Sequence, residues 1–237
     1  MDDEPHSHPD WRRAYRRVRR LIDDGVLGPG DRLPTIAALA SDAGVTRHSA
    51  RRALERLRDE GRSSSWQGSG HRVSEPTVEI RFDAFPRWGA NTARKGRKGS
   101  ARMIGARTIR ADRALARDLR VKPGARLHRA ELLRFADDRP MALSRSHFSA
   151  ERLPGIVEEL RETLSVTKAL ARLGIENCSR VRTRLEARMP NAHEALMISL
   201  PRAQPVLVST GVNQDEDGAV VEVAVTVFRA DCIAFEF

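Results

Sequence analysis

The stretch from Thr35 to Gly61 constrains the fold most strongly, because it specifies two short helices joined by a tight turn. A first helix is predicted over TIAALASDAG, where Thr35 can cap the start and Gly44 permits the sharp turn that follows. A second helix is predicted over VTRHSARRALERLRDEG, with Thr46 as its N-cap and Gly61 as its left-handed C-terminal residue. Two short helices across a glycine-containing turn form the helix-turn-helix pattern, whose second helix lies in the major groove of DNA.

Apolar and charged residues fall on different sides of the second helix. Ala50, Leu54 and Leu57 form one apolar stripe, so the helix is expected to dock through that side and to present cations outward. The alternative is a solvated surface helix whose acidic residues pair with some of the arginines. The basic residues on the other flanks are Arg47, His48, Arg51, Arg52 and Arg56, and the nearby acidic residues are Glu55, Asp59 and Glu60.

The net charge of +10 is concentrated in the first half of the chain. Residues 11–74 contain fourteen arginines and no lysine against seven acidic residues. Residues 87–110 contain eight basic residues and no acidic one, so the rest of the chain is net acidic. This distribution indicates a negatively charged partner for the N-terminal third and allows an anionic ligand beside the second basic segment.

Length and composition exclude several classes of protein. A chain of 237 residues that is 40% apolar and 31% charged is typical of a globular protein with two modest domains. No apolar run approaches the roughly 20 residues that span a bilayer, and the N-terminus MDDEPHSHPD is unlike a signal peptide. We therefore expect a cytoplasmic protein without a membrane partner. Cys178 and Cys232 lie far apart without a CxxC motif and the histidines are scattered, so we expect no disulfide, metal or cofactor.

Beyond the two helices, the chain shows a hairpin, a linker and a second domain. The stretch GRSSSWQGSGHRVS predicts a β-hairpin wing around a glycine-rich centre, and Pro76 marks a linker. From residue 77 onward strands alternate with helices, which favours an antiparallel sheet with helices on one side, an α+β domain. Strands are predicted over 126–135, 140–148, 180–189, 205–213 and 220–229, and helices over 112–119, 166–174 and 191–200. The predicted organisation is a disordered tail over 1–10, a winged helix-turn-helix domain over 11–74, a linker over 75–83 and the α+β domain over 84–237.

Residues 11–74 resemble the winged-helix domain of the GntR family of bacterial transcription regulators. The resemblance lies in the stretches GDRLPTIAALA, GVTRHSARRALERLRDEG and QGSGHRV, which keep the order and spacing of the family pattern. Arginines on the second helix can fork onto guanine or clamp phosphates, residues at its start can donate to phosphate or base edges, and a glycine wing tip can enter a minor groove. The resemblance assigns DNA contact to Arg32, Thr35, Arg47, Arg51, Gln67, Gly68 and Gly70, and the chemistry of the second helix adds Thr46, His48, Ser49 and Arg52.

Residues 77–237 are similar to the effector-binding (UTRA) domain of the HutC subfamily of GntR regulators, which shares its fold with chorismate lyase. The resemblance implies a homodimer built through this domain, bound to a two-fold symmetric operator in double-stranded DNA. Within the subfamily the chain looks most like the regulators of phosphonate uptake and degradation. The stretches that carry this finer likeness are RWGANT, TRHSARRAL, LSVTKAL and FRADCIAFEF.

An effector site is predicted at the start of LSVTKAL, where Ser165 and Thr167 and free backbone N–H groups can meet an anion. Simple N-capping by Ser165 is the alternative. The resemblance implies further ligand contacts, and Arg87 and Asn91 of the basic segment are candidates to add to them. Arg134 matches the second arginine of the family's ligand-binding strand, where Leu132 replaces the first, Glu222 matches a ligand-contacting glutamate, and Phe228 stands where tyrosine is common. For Arg87 and Arg134 a surface salt bridge is the alternative role.

These features predict a ligand-responsive transcriptional repressor that responds to a small anionic effector, and the finer resemblance favours an effector related to phosphonates. One alternative is a HutC-type repressor of a different catabolic operon, for an amino acid or a sugar derivative. Another is a lyase-like enzyme, which would need an acid or base poised in the pocket. The sequence shows no Ser/His/Asp arrangement, glycine-rich nucleotide loop or paired metal ligands, so we expect no catalytic residues. RNA binding is disfavoured by an aromatic content of 5%.

Overall fold

The computed structural model describes residues 10–66, 70–81, 88–94 and 96–236. The chain divides into two compact units, Met1–Pro76 and Thr77–Phe237. The tail predicted over residues 1–10 lies outside the described residues except for Asp10, which begins the first helix.

The described residues of the first unit form three helices and a hairpin. Helix α1 spans Asp10–Asp23, α2 spans Ile36–Ala43 and α3 spans Arg47–Asp59, and they are followed by antiparallel strands β1 (Ser63–Trp66) and β2 (Gly70–Val73). The predicted apolar stripe of α3 is confirmed, since all three of its residues are fully buried in a core shared with α1 and α2. This core includes Ala14, Val18, Leu39, Ala50, Leu54 and Leu57.

Local capping fixes both helices of the helix-turn-helix. The hydroxyl of Thr35 accepts a hydrogen bond from the Ala38 amide at 3.2 Å, and the hydroxyl of Thr46 accepts one from the Ser49 amide at 3.1 Å. Gly44 adopts a left-handed conformation with φ of 59° between them, which a residue with a Cβ rarely adopts. Both predicted N-caps are therefore confirmed.

The hairpin is anchored to the chain that precedes α2. The Gly30 amide donates to the Val73 carbonyl at 2.8 Å, and the Leu33 amide donates to the His71 carbonyl at 2.9 Å. Residues 30–33 thus act as a third, short strand beside β2 and hold the wing against the helical core.

The second unit is built on a six-stranded antiparallel sheet with strand order β4-β5-β6-β9-β8-β7. All five predicted strands are present at nearly the predicted bounds, whereas β4 was not predicted. The elements in chain order are β3 (Val78–Arg81), α4 (Trp88–Ala93), β4 (Gly99–Arg110), α5 (Arg113–Leu119), β5 (Arg126–Ala136), β6 (Arg139–Ser149), α6 (Ile156–Thr163), α7 (Val166–Arg172), β7 (Cys178–Arg188), α8 (Ala192–Met197), β8 (Val206–Asp215), β9 (Val220–Arg229) and β10 (Ile233–Glu236).

The expectation that helices cover one side of the sheet is wrong. On one face, Leu133, Leu143 and Val227 pack with residues that include Met197 of α8, while α5 packs against Val223 nearby. On the other face, Leu132 and Phe148 pack against α6 and α7. Neighbouring residues in a strand point to opposite faces, so the burial of both Leu132 and Leu133 requires cover on both sides.

Part of the predicted linker belongs to the second unit. Val78–Arg81 form β3, which pairs in parallel with β10 at the C-terminal end of the chain. Val78 and Ile80 are buried in a cluster with Phe228 and Ile233, which explains why this segment is ordered as a strand rather than left as a connection.

Helix α8 is held on the sheet by a buried carboxylate. Glu194 is 1% exposed and completes a capping box with Asn191. Its oxygens accept hydrogen bonds from Arg145 of β6 at 2.9 Å and from Arg188 of β7 at 2.7 Å and 2.9 Å. Burial by itself would raise the pKa of the Glu194 carboxyl, but the hydrogen bonds from Arg188 and Arg145 lower it to about 2.

We expect E194Q to reduce the free energy of unfolding by about 3 kcal/mol at pH 7. Because the folded-state pKa lies below its ordinary value, this contribution is complete above about pH 5 and is lost as the pH falls toward 2. The difference between wild type and E194Q in urea unfolding should shrink over that range. E186Q, which removes a half-exposed partner of Arg184, is the control and should change stability by less than about 1 kcal/mol. A difference for E194Q that does not vary with pH would contradict this account.

Candidate functional site

Helix α3 presents two uncompensated arginines beside α2. Arg47, His48 and Arg51 are exposed, and together with Ile36 and Ala37 of α2 they line a groove. Within the described part of the chain, no carboxylate forms an ion pair with Arg47 or Arg51. An exposed cation next to a helix groove is available for an anionic partner such as a nucleic acid phosphate.

Asp59 and Glu60, at the C-terminal end of α3, compensate other arginines of the same helix. Arg56 pairs with Glu60 at 2.8 Å, and Arg58 lies 3.7 Å from Asp59. Glu60 also accepts a hydrogen bond from the hydroxyl of Tyr15 on α1. The surface-pairing alternative therefore describes Arg56 and Arg58, and it does not describe Arg47 and Arg51.

The other residues predicted to contact DNA have separate structural positions. The guanidinium carbon of Arg52 lies 5.2 Å from the centroid of the Trp11 ring, so this side chain stacks on α1. The hydroxyl groups of Thr46 and Ser49 form a hydrogen bond with each other at the N-terminus of α3, and Thr35 caps α2. Arg32 is exposed in the segment that pairs with the wing, and Gly70 begins β2 with φ of 70°. Gln67 and Gly68 lie outside the described residues.

The second unit contains a cavity of about 610 Å³. Its floor is the face of the sheet made by alternate residues of β6 and β9, and its other walls are α4, the start of β4 and the segment 163–168 that leads into α7. A cavity of this volume is in the range that holds a small-molecule ligand. The hydroxyl groups along its lining belong to Ser100, Ser144, Ser146, Thr163, Ser165, Thr167, Ser209 and Thr226.

Arg134 enters this cavity from β5. One of its terminal nitrogens donates to the Leu164 carbonyl at 3.2 Å. Within the described residues no carboxylate pairs with Arg134, so the surface salt bridge that was its alternative role is not formed there. Burial lowers the pKa of Arg134, and the nearby Glu222 carboxylate acts in the opposite direction. An arginine has so high an ordinary pKa that the side chain stays charged. The cavity therefore contains a half-buried cation.

Glu222 occupies the floor of the cavity. It is 3% exposed, and one carboxylate oxygen accepts a hydrogen bond from the Ser146 hydroxyl while the other accepts one from the Asn213 amide. Both oxygens are thus satisfied by the protein, which fixes the orientation of this side chain.

The remaining predicted effector residues also line the cavity. Ser165 caps α7 by accepting from the Lys168 amide at 3.4 Å, as the capping alternative supposed, and it faces the cavity as well. Asn91 is buried and accepts from the Arg81 amide at 3.4 Å. The ring of Phe228 stands edge-on to Phe235 at 5.3 Å between centroids. Thr167 lies on the lining, and Arg87 lies outside the described residues.

Sequence reasoning missed two basic residues of the cavity, Lys168 and Arg180. Lys168 is exposed, whereas the guanidinium of Arg180 reaches inward from β7 and donates to the Asn213 side chain at 2.6 Å. Strand β7 reads CSRVRTRLEAR, whose alternating arginines resemble a solvated edge strand. Only the register that aligns Arg180, Asn213 and Glu222 across three neighbouring strands shows that this arginine is internal.

Comparison with known proteins agrees with this division of the chain. Residues 11–73 match the bacterial regulatory proteins of the gntR family, and residues 94–234 match the UTRA domain. The chain belongs to the GntR family of transcriptional regulators with a UTRA domain. The matching helix-turn-helix is the DNA-binding element of such a regulator, and most of the cavity lining lies within the UTRA match. Among the described residues of this GntR regulator, no helix is long and apolar enough to cross a membrane.

Two relatives and one solved structure resemble this GntR regulator over most of its length. The uncharacterized HTH-type transcriptional regulator RB1450 of Rhizobium meliloti is 32% identical, over 93% of this chain and 91% of its own. The HTH-type transcriptional repressor NagR of Bacillus subtilis is 26% identical, over 96% of this chain and 93% of its own. The crystal structure of PhnF from Mycobacterium smegmatis aligns with a TM-score of 0.62 at 23% identity, covering 94% of this chain and 97% of PhnF, which supports the fold.

Proposed function

We propose that this GntR regulator is a repressor that binds a two-fold symmetric DNA operator as a homodimer and responds to a small anionic effector in the UTRA cavity. We assign operator binding to residues 11–74 and effector binding to residues 84–237 together with β3, in the cytoplasm. The observation that carries the proposal is the cavity, because six of the seven residues predicted from sequence to contact the effector lie along it. These residues are Asn91, Arg134, Ser165, Thr167, Glu222 and Phe228.

The proposed operator contacts rest on the surface of α3. Arg47 and Arg51 stand one helical turn apart on the exposed side, without carboxylate partners in the described chain, and can fork onto guanine or grip phosphate. His48 lies between them, and we assign additional phosphate contacts to Thr35 and Arg32, which are both exposed. Repression is the activity in the name of NagR and is proposed here by that likeness.

The proposed effector is an anion because the cavity contains Arg134 away from carboxylate partners, with hydroxyl groups around it. A phosphonate or another phosphate-bearing molecule fits this chemistry and the sequence resemblance to regulators of phosphonate metabolism. An amino-acid or sugar derivative is the alternative. A lyase-like enzyme is less well supported, because the Glu222 carboxylate already accepts hydrogen bonds on both oxygens and the named relatives are regulators.

The response to effector requires differential affinity. A ligand shifts an equilibrium between two arrangements of the DNA-binding domains only if it binds one arrangement more tightly than the other. In the proposed repressor, the arrangement that binds effector tightly is the one that does not fit the operator.

We expect R51A to weaken specific operator binding by about 1 to 3 kcal/mol, since it removes a bidentate base contact. R56A should weaken binding to operator and random DNA by similar amounts, and this loss should be smaller than the loss in R51A because Glu60 already pairs with Arg56. R56A should also lower the salt dependence of binding. Titrations of operator and random DNA at several salt concentrations measure the ratio of specific to nonspecific affinity. Equal losses of that ratio in the two variants would show that Arg51 makes no base contact.

The regulator should be a dimer at micromolar concentration and should protect two half-sites about one helical turn apart. Sedimentation measures the mass in solution, and footprinting on the upstream DNA of its own gene measures the protected sites. A monomer that protects a single asymmetric site would contradict the proposal.

R134A should leave a folded dimer that binds operator DNA, because Arg134 lies outside the winged helix, but should abolish release by effector. R126A, which removes an exposed arginine from the same strand, is the control and should keep the response. The measurement is an operator titration with phosphonates, phosphate esters and amino-acid catabolites added in turn. An unchanged response in R134A would remove this residue from the site, and stabilisation by uncharged ligands only would reject the anionic effector.

A further inference from the structure

Arg180 occupies an unusual position, because its guanidinium lies close against the backbone of a neighbouring strand at Gly211. A Cβ placed on Gly211 of β8 would come within 2.2 Å of a terminal nitrogen of Arg180 and 2.3 Å of its guanidinium carbon. Gly211 pairs with Ala224 of β9, so two small residues lie side by side in the sheet at this point. A glycine inside a strand weakens the strand and marks close approach of another group, and here that group is Arg180.

A chain of buried hydrogen bonds fixes the direction of this guanidinium. The Nε of Arg180 donates to the Asn213 side chain at 2.6 Å, Asn213 donates to Glu222, and Ser146 donates to the other oxygen of Glu222. Asn213 is fully buried, and its amide is used on both sides. Of the three nitrogens in the Arg180 guanidinium, this series of hydrogen bonds uses only Nε. Within the described residues, no protein acceptor takes up the two terminal nitrogens of Arg180.

Among the described residues that line the cavity, positive charges outnumber negative ones. Arg134 and Arg180 both line it, and Glu222 is the one carboxylate on the lining among the described residues. It attracts both arginines without forming an ion pair with either. Burial lowers the pKa of Arg180 as it does that of Arg134. A charged group held away from water is costly unless it is paired, and Lys168 adds a third cation to the lining. If a ligand binds Arg134 through its only anionic group, the terminal nitrogens of Arg180 stay without an acceptor among the described residues.

We propose that Arg180 is a second anion-binding residue of the cavity, and that the effector carries two separate anionic groups. One group binds Arg134 and the other binds the free terminal nitrogens of Arg180. Arg134 enters from β5 and Arg180 enters from β7. The strands β6, β9 and β8 lie between them in the sheet, so the ligand spans the floor of the cavity and the neighbouring residue Ser209 of β8. Hydroxyl groups of Ser144, Ser209 and Thr226 face the part of the ligand that joins its ends. This inference rests on the proposed effector site and specifies its ligand class.

Two pairs of probes test the second anionic group. The first pair is 6-phosphogluconate and glucitol 6-phosphate, which share a hydroxylated chain and a phosphate and differ in the carboxylate. The second pair is 3-phosphonopropanoate and propylphosphonate, which differ in the same way. Calorimetric titration of each probe into the full-length protein measures the dissociation constants.

At least one two-anion probe should bind wild type at least about tenfold more tightly than its one-anion partner, because one charge-assisted hydrogen bond contributes an affinity gain of about that size. R180Q should remove that preference. G211A should also remove it, since the new Cβ displaces the guanidinium while the charge stays in the protein. R184Q is the matched control, because Arg184 lies on the same strand with its side chain 75% exposed, and it should keep the preference.

A preference that survives in both R180Q and G211A would overturn the assignment of Arg180. Failure of both two-anion probes to bind wild type more tightly than their partners, including failure to bind at all, would overturn the two-anion class. Thermal unfolding checks that the variants are folded. If R180Q is not folded, the result for G211A alone decides the assignment of Arg180. The proposed function is tested separately. If one-anion probes release wild type from operator DNA and this release requires Arg134, the proposed function stands even when this inference fails.

Discussion

The alternation of side chains along β9 is the constraint on which the second unit depends. Val223, Val225 and Val227 point into the core beneath α5 and α8, while Glu222, Thr226 and Phe228 point into the cavity. A shift of the strand by one residue would exchange the two sets and bury a carboxylate in an apolar core. The packing that stabilises the sheet is therefore the same packing that presents the polar floor of the effector site.

Charge compensation follows two different rules in this regulator. Glu194 is surrounded by Arg145 and Arg188, and the resulting network holds α8 on the sheet. Arg134 and Arg180 instead meet carbonyl and amide oxygens, and Glu222, the one carboxylate near them in the described part of the chain, already accepts hydrogen bonds from neutral donors. On α3 the same contrast separates Arg56, which pairs with Glu60, from Arg47 and Arg51. These four arginines, which have no carboxylate partner among the described residues, lie on the surfaces proposed to meet anions.

The helix-turn-helix was predictable almost residue by residue because its determinants are local. Thr35, Thr46 and Gly44 act within one helical turn of themselves, and the stripe of α3 needs only the helical period. The effector residues were predictable only as a set, through the family resemblance, because they come from α4, β5, α7 and β9. Nothing in the local pattern showed that helices cover both faces of the sheet or that residues 78–81 pair with the C-terminal strand.

The sequence by itself determined the two-unit organisation, the capped helices of the first unit and the bounds of five strands, since periodicity, caps and turn residues act over a few positions. Only the tertiary structure decided the strand order and register, which depend on contacts between residues far apart in the chain. The position of Arg180 shows the difference. It reads as one of several arginines on an edge strand, and it becomes a cavity residue because Gly211 and Asn213, more than thirty positions later, leave room for it and hold it.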